Sequence, residues 1–116
     1  MAVIARALTQ QPSVLLLDEP TAYLDIRHQQ EIYNLLTRLN QKRQLTVVVV
    51  SHDLNLASQY CERLMMLSEG QIQANGSPQE VLTQEGIEQV YGCQVLMDRH
   101  PMTGRPRMTL VPHDAA

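Results

Sequence analysis

The stretch Val14-Leu15-Leu16-Leu17-Asp18-Glu19-Pro20-Thr21-Ala22-Tyr23-Leu24-Asp25 decides how the rest of the chain is read. An apolar run without alternation predicts a strand covered on both faces, as in parallel sheets with helices on either side. Two carboxylates follow immediately. A buried strand ending in Asp-Glu sets a pair of acids at the carboxyl edge of a sheet, where open α/β folds take their ligands. Pro20 ends the strand because it has no N–H to donate to a ladder. Neighbouring side chains on an extended backbone point to opposite sides, so Asp18 and Glu19 are expected to do different work. One suits a metal ion, the other a reacting water.

Working outward, residues 26–42 carry Ile32, Leu35, Leu36 and Leu39 at helical spacing, with Asp25 placed to cap the helix and His28 read as a surface residue of its first turn. Leu45-Thr46-Val47-Val48-Val49-Val50 is a second apolar run, rich in the stiff β-branched residues that suit a pleated surface. Strand, helix and strand make a βαβ unit. Its crossover implies parallel pairing with a right-handed connection, so the second strand ends on the same edge as Asp18 and Glu19. That delivers His52 to the acids.

On the N-terminal side, residues 1–9 predict a helix with Val3, Ile4, Ala7 and Leu8 on one stripe and no capping residue ahead of it. Beyond His52, residues 53–61 predict a short helix capped by Ser51 or Asp53. A strand over 63–68 turns at Glu69-Gly70 into an antiparallel return over 71–74, and Asn75-Gly76 is expected to break the chain. Ser77-Pro78-Gln79-Glu80 has the cap, first-turn proline and capping-box glutamate of a helix start. A further helix over 85–91 ends at Gly92, a left-handed cap. Residues 94–98 and 107–111 predict a closing hairpin around 101–105, with Arg99, His100, Arg105 and Arg107 near a solvated tip. The methionines are read as core filler.

The chain has 116 residues, a one-domain length, and its net charge of −3 comes from 9 basic and 12 acidic residues. It contains no Lys/Arg block, which argues against a nucleic-acid partner. No apolar run approaches the ~20 residues that cross a bilayer, so direct membrane insertion is not expected and a cytoplasmic location is. Cys61 and Cys93 stand apart with no metal-ligand spacing and are read as reduced core thiols.

Leu15-Leu16-Leu17-Asp18-Glu19-Pro20 resembles the Walker B motif of ABC-type ATPases with its adjoining catalytic glutamate, and Thr21 to Asp25 resembles the D-loop behind it. Ile4-Ala5-Arg6-Ala7-Leu8 is similar to the helix that trails the ABC signature, and Ser51-His52-Asp53 to the switch-histidine segment. Residues 62–94 resemble the C-terminal portion of importer ATPases. With Tyr23, Asp53-Leu54-Asn55-Leu56-Ala57 and the closing hairpin, they are most similar to subunits serving iron–siderophore, haem or vitamin B12 uptake.

The resemblance implies an α/β, P-loop NTPase-like fold with parallel strands, a crossover helix and a C-terminal β-hairpin. It implies ATP and Mg²⁺ as cofactors, with Asp18 holding the metal through water and Asp18 and Asp25 at the nucleotide. Glu19 and His52 would be catalytic, Glu19 orienting or deprotonating the attacking water and His52 meeting the γ-phosphate. Asp25 would also lie at the interface of a nucleotide-sandwich dimer. The implied partners are a second ATPase subunit and transmembrane permease subunits, at the inner face of the cell membrane.

The sequence holds no Gly-x-x-x-x-Gly-Lys-[Ser/Thr] loop, no glutamine-loop segment and no Leu-Ser-Gly-Gly-Gln signature, so residues 1–116 match only the C-terminal half of such a domain. Without the loop amides and lysine the phosphates lack a cradle, and this polypeptide alone is expected to bind ATP weakly or not at all. A second class of reading is a non-catalytic fragment that docks on another subunit. A repair or translation ABC ATPase is the third, weakened by the acidic balance.

Overall fold

In the computed structural model of the chain, which describes residues 13–112, the two apolar runs pair as parallel strands. Strand β1 (Val14–Asp18) lies against β2 (Thr46–Val50) in register from Val14↔Thr46 to Asp18↔Val50. The helix expected over residues 1–9 lies outside the described residues. The chain divides into two units, Met1–His52 and Asp53–Ala116.

In the first unit, helix α1 (Ile26–Arg43) makes the crossover between the strands. Its Ile32, Leu36 and Leu39 form a buried cluster with Leu15 and Leu45, and Leu17, Leu35, Val47 and Val49 pack against it. Each such side chain contributes about 1.5–3 kcal/mol when fully buried. Tyr33 is buried as well, a position the apolar spacing did not select. The helix ends on Gln44 in the left-handed conformation, φ 52°, and Asn40 Nδ2 donates to the Leu45 carbonyl at 2.8 Å, tying that turn to β2.

Within the described residues the two strands are covered on one face only. Side chains alternate along a strand, and α1 covers only the face carrying Leu15, Leu17, Val47 and Val49. Val14, Leu16, Val48 and Val50, on the other face, are exposed, Leu16 to 67%.

The second unit runs α2 (Leu54–Tyr60), β3 (Leu64–Ser68), β4 (Gln71–Gly76), α3 (Pro78–Val81), α4 (Gln84–Tyr91), β5 (Val95–Arg99) and β6 (Pro106–Leu110). β3 and β4 are antiparallel, joined by Glu69-Gly70. Both turn residues have positive φ, 52° and 74°, the requirement of a two-residue turn whose twist matches that of its strands. The break expected at Asn75-Gly76 comes one residue later, for these two still pair with Met65 and Leu64. Ser77 and Glu80 then close the capping box. A Cβ at Gly76 would stand 3.1 Å from the Glu80 carboxylate, so the capping glutamate uses the space that glycine leaves.

Met66, Val81, Leu82, Ile87 and Val95 form the core of this unit, with Leu54, Leu64, Met97 and Met108 among the side chains packed on it. The methionines are only partly filler, since Met65 and Met102 are exposed. The closing hairpin is β5 paired antiparallel with β6, and Gly92 caps α4 at φ 67° as expected.

The basic tip is not simply solvated. Arg105 Nη1 donates to the carbonyls of Ser58 and Cys61, both at 2.9 Å, satisfying the last turn of α2. Arg107 grips Asp98 through two bonds of 2.9 and 2.7 Å and holds that carboxyl below its usual range. The outer edge of β6 is closed by α2: Asn55 bonds both the N–H and the carbonyl of Met108, and buried Ser58 donates to the Pro106 carbonyl at 2.6 Å. An edge whose polar groups are satisfied this way offers little to a foreign strand.

Of the two expected core thiols, Cys93 is exposed and Cys61 half-buried. Burial pushes the Cys61 thiol up, with Arg105 opposing it. Alkylation followed by mass spectrometry is therefore expected to modify Cys93 well before Cys61. In denaturant titration, Leu36→Ala is expected to lose about 2–5 kcal/mol, whereas Leu16→Ala on the open face should change stability by about 0.5 kcal/mol or less. Equal losses at the two positions would contradict the one-sided packing.

Candidate functional site

The site is assembled where β1 ends. Asp18 pairs with Val50, and the Glu19 N–H carries the ladder one step further by donating to the Val50 carbonyl at 2.7 Å. The chain then leaves the strand. Glu19 takes φ 48°, a left-handed conformation that costs a side-chain-bearing residue roughly 1–2 kcal/mol. The Ala22 N–H donates to the Glu19 carbonyl at 3.1 Å and Leu24 N–H to the Thr21 carbonyl at 3.2 Å, making two turns in succession. Pro20 occupies the second position of the first turn, where its fixed φ is favourable. Asp18 and Glu19 thus differ because one ends the strand and the other bends out of it, not by strand alternation as the sequence suggested.

The parallel register brings His52 to Glu19. The His52 backbone N–H donates to Glu19 Oε1 at 3.0 Å, and His52 Nε2 lies 3.6 Å from the same oxygen. The imidazole is 90% exposed, against 34% for the Glu19 side chain. A half-covered carboxylate beside an open imidazole can orient a water on one side while the ring meets a ligand on the other.

Asp25 caps α1 as expected, and its carboxylate has a partner the sequence reading missed. Asp25 Oδ1 accepts the His28 N–H at 2.9 Å and lies 2.8 Å from His28 Nδ1. The backbone bond from His28, then its ring, hold the Asp25 carboxyl below its ordinary value. The Asp-x-x-His spacing at a helix start was the available signal.

Asp18 stands exposed at the strand end. Among the described residues no three His, Cys, Asp or Glu side chains gather as a metal site. A lone carboxylate nevertheless suits Mg²⁺, which keeps several waters and takes one or two protein carboxylates together with substrate phosphates.

Because the Asp25 carboxyl is lowered on folding, its contribution is complete above the ordinary carboxylate value of 3.8 and disappears as pH falls through the folded one. Asp25→Asn, which still caps, should abolish that acid-side dependence. Urea midpoints of the two chains are expected to coincide in strong acid, to diverge as pH rises through the lowered folded value towards 3.8, and to keep a constant gap above it, with wild type the more stable.

The family model described as "AAA domain, putative AbiEii toxin, Type IV TA system" matches residues 1–58. The ferric enterobactin transport ATP-binding protein FepC of Escherichia coli K12 is 44% identical over 105 residues, 90% of this chain and 39% of that protein. The hemin import ATP-binding protein HmuV of Escherichia coli O157:H7 is 42% identical over 102 residues, 88% of this chain and 40% of that protein. The chain therefore spans about two fifths of the length of these relatives. A solved structure of "a putative metal-chelate type ABC transporter" in an inward-facing conformation superposes with a TM-score of 0.86 at 24% identity, covering 95% of this chain and 45% of that one.

Proposed function

This chain belongs to the ABC family of ATP-binding subunits and has their α/β fold, and from that footing we propose that it carries the hydrolytic edge of an import ATPase. The observation that supports this most is the meeting of Glu19 and His52 at the carboxyl end of two parallel strands. Glu19 orients, or deprotonates, the water that attacks the γ-phosphate of ATP. His52 offers its ring N–H to that phosphate. Phosphoryl transfer needs little covalent chemistry from a protein and depends on positioning and on charge neutralisation, so a carboxylate and an imidazole in this arrangement suffice as local parts.

Mg²⁺ supplies neutralising charge at the phosphates when bound, and Asp18 is the residue to hold it, through water. Asp25 faces the second ATPase subunit of a dimer while capping α1. The β- and γ-phosphates require backbone amides and a lysine, and residues 1–116 contain no Gly-x-x-x-x-Gly-Lys segment, so these residues work beside such a loop. The relatives' names favour uptake of an iron complex or haem, and on this proposal the chain works with transmembrane permease partners from a peripheral place on the cytoplasmic face. No helix among the described residues is long and apolar enough to cross a membrane.

In a polypeptide that carries a P-loop and signature segment ahead of this one, Glu19→Gln is expected to lower kcat about 100-fold or more with nucleotide binding retained. Turnover at the wild-type rate would overturn the role given to Glu19.

A further inference from the structure

The grip on the Glu19 carboxylate comes from main chain. Of the two His52 nitrogens near Oε1, the backbone N–H lies at 3.0 Å, within hydrogen-bond range, whereas Nε2 at 3.6 Å lies beyond it. The ring is almost wholly in solvent. Meanwhile the Glu19 backbone is held on both sides, its N–H by the Val50 carbonyl and its own carbonyl by the Ala22 N–H. Those bonds fix where the side chain starts, and its rotamer remains to be set.

We propose that the His52 backbone N–H is the positioning group that sets the Glu19 carboxylate, so that His52 acts through its main chain on the carboxylate and through its ring on the phosphate. One strand end does both fastenings: Val50 accepts from the Glu19 backbone, and two residues later His52 donates to the Glu19 side chain. The register that pairs Asp18 with Val50 therefore fixes backbone and carboxylate together. An uncharged replacement of the ring leaves the carboxylate in place, because every residue except proline carries the same N–H. A bond from an amide to an ionised carboxylate is charge-assisted, and so is stronger than the same bond to a neutral amide oxygen.

This inference rests on the reading of Glu19 as the water-orienting carboxylate, but the bond itself can be measured without turnover. In the ¹⁵N-labelled chain at neutral pH, hydrogen exchange and the amide proton shift at position 52 report it. Glu19→Gln is expected to speed exchange there about tenfold and to move the resonance upfield, with Val48 and Val49 unchanged as controls. His52→Ala should keep the protection within about twofold once intrinsic rates are corrected. Should Glu19→Gln unfold the chain, Glu19→Asp, which keeps the charge and shortens the reach, is expected to show the same loss. Exchange at position 52 unaffected by the Glu19 changes, or protection lost in His52→Ala, would overturn the proposal. Absence of turnover in the loop-carrying polypeptide would strike the chemical role of Glu19 and leave this bond standing.

Discussion

The parallel register of β1 and β2 is the constraint on which the site depends. Pairing Asp18 with Val50 sets the Glu19 N–H on the Val50 carbonyl and the His52 N–H on the Glu19 carboxylate. A slip of one residue would turn Leu15 and Leu17 from α1 to solvent and separate the acid from its histidine. Packing on α1 therefore does more than stabilise the unit. The burial of Leu15, Ile32, Leu36, Leu39 and Leu45 selects one register among the alternatives, and that register is what brings residues far apart in sequence into hydrogen-bond range.

Much of this was legible in the residues. Two apolar runs flanking a stretch of helical periodicity allow few arrangements, because a crossover of that length implies parallel neighbours ending on one edge. The meeting of Glu19 and His52 follows from that topology alone. Cap chemistry was equally plain: Asp25, Asp53, Ser77 and Gly92 all terminate helices, each by the short polar side chain or the free φ that its position requires.

What escaped the sequence reading has a common cause: apolarity does not reveal which faces are covered. Leu16 and Leu17 are identical as letters, yet only Leu17 meets a helix. Cys93 reads as a core thiol and lies in solvent, while Arg105 reads as a solvated tip and is drawn to the carbonyls of Ser58 and Cys61. The left-handed backbone of Glu19 could not be foreseen either, since a glutamate before a proline carries no preference for it. There the tertiary bonds to Val50 and His52 accompany the local conformational cost.

The most direct measurement is the set of interstrand nuclear Overhauser contacts between β1 and β2 in the isotopically labelled chain. The account predicts a parallel pattern in the register Leu15↔Val47 and Leu17↔Val49, continued by contacts from the Glu19 amide to Val50. An antiparallel pattern, or a parallel one displaced by a residue, would remove His52 from Glu19 and contradict it.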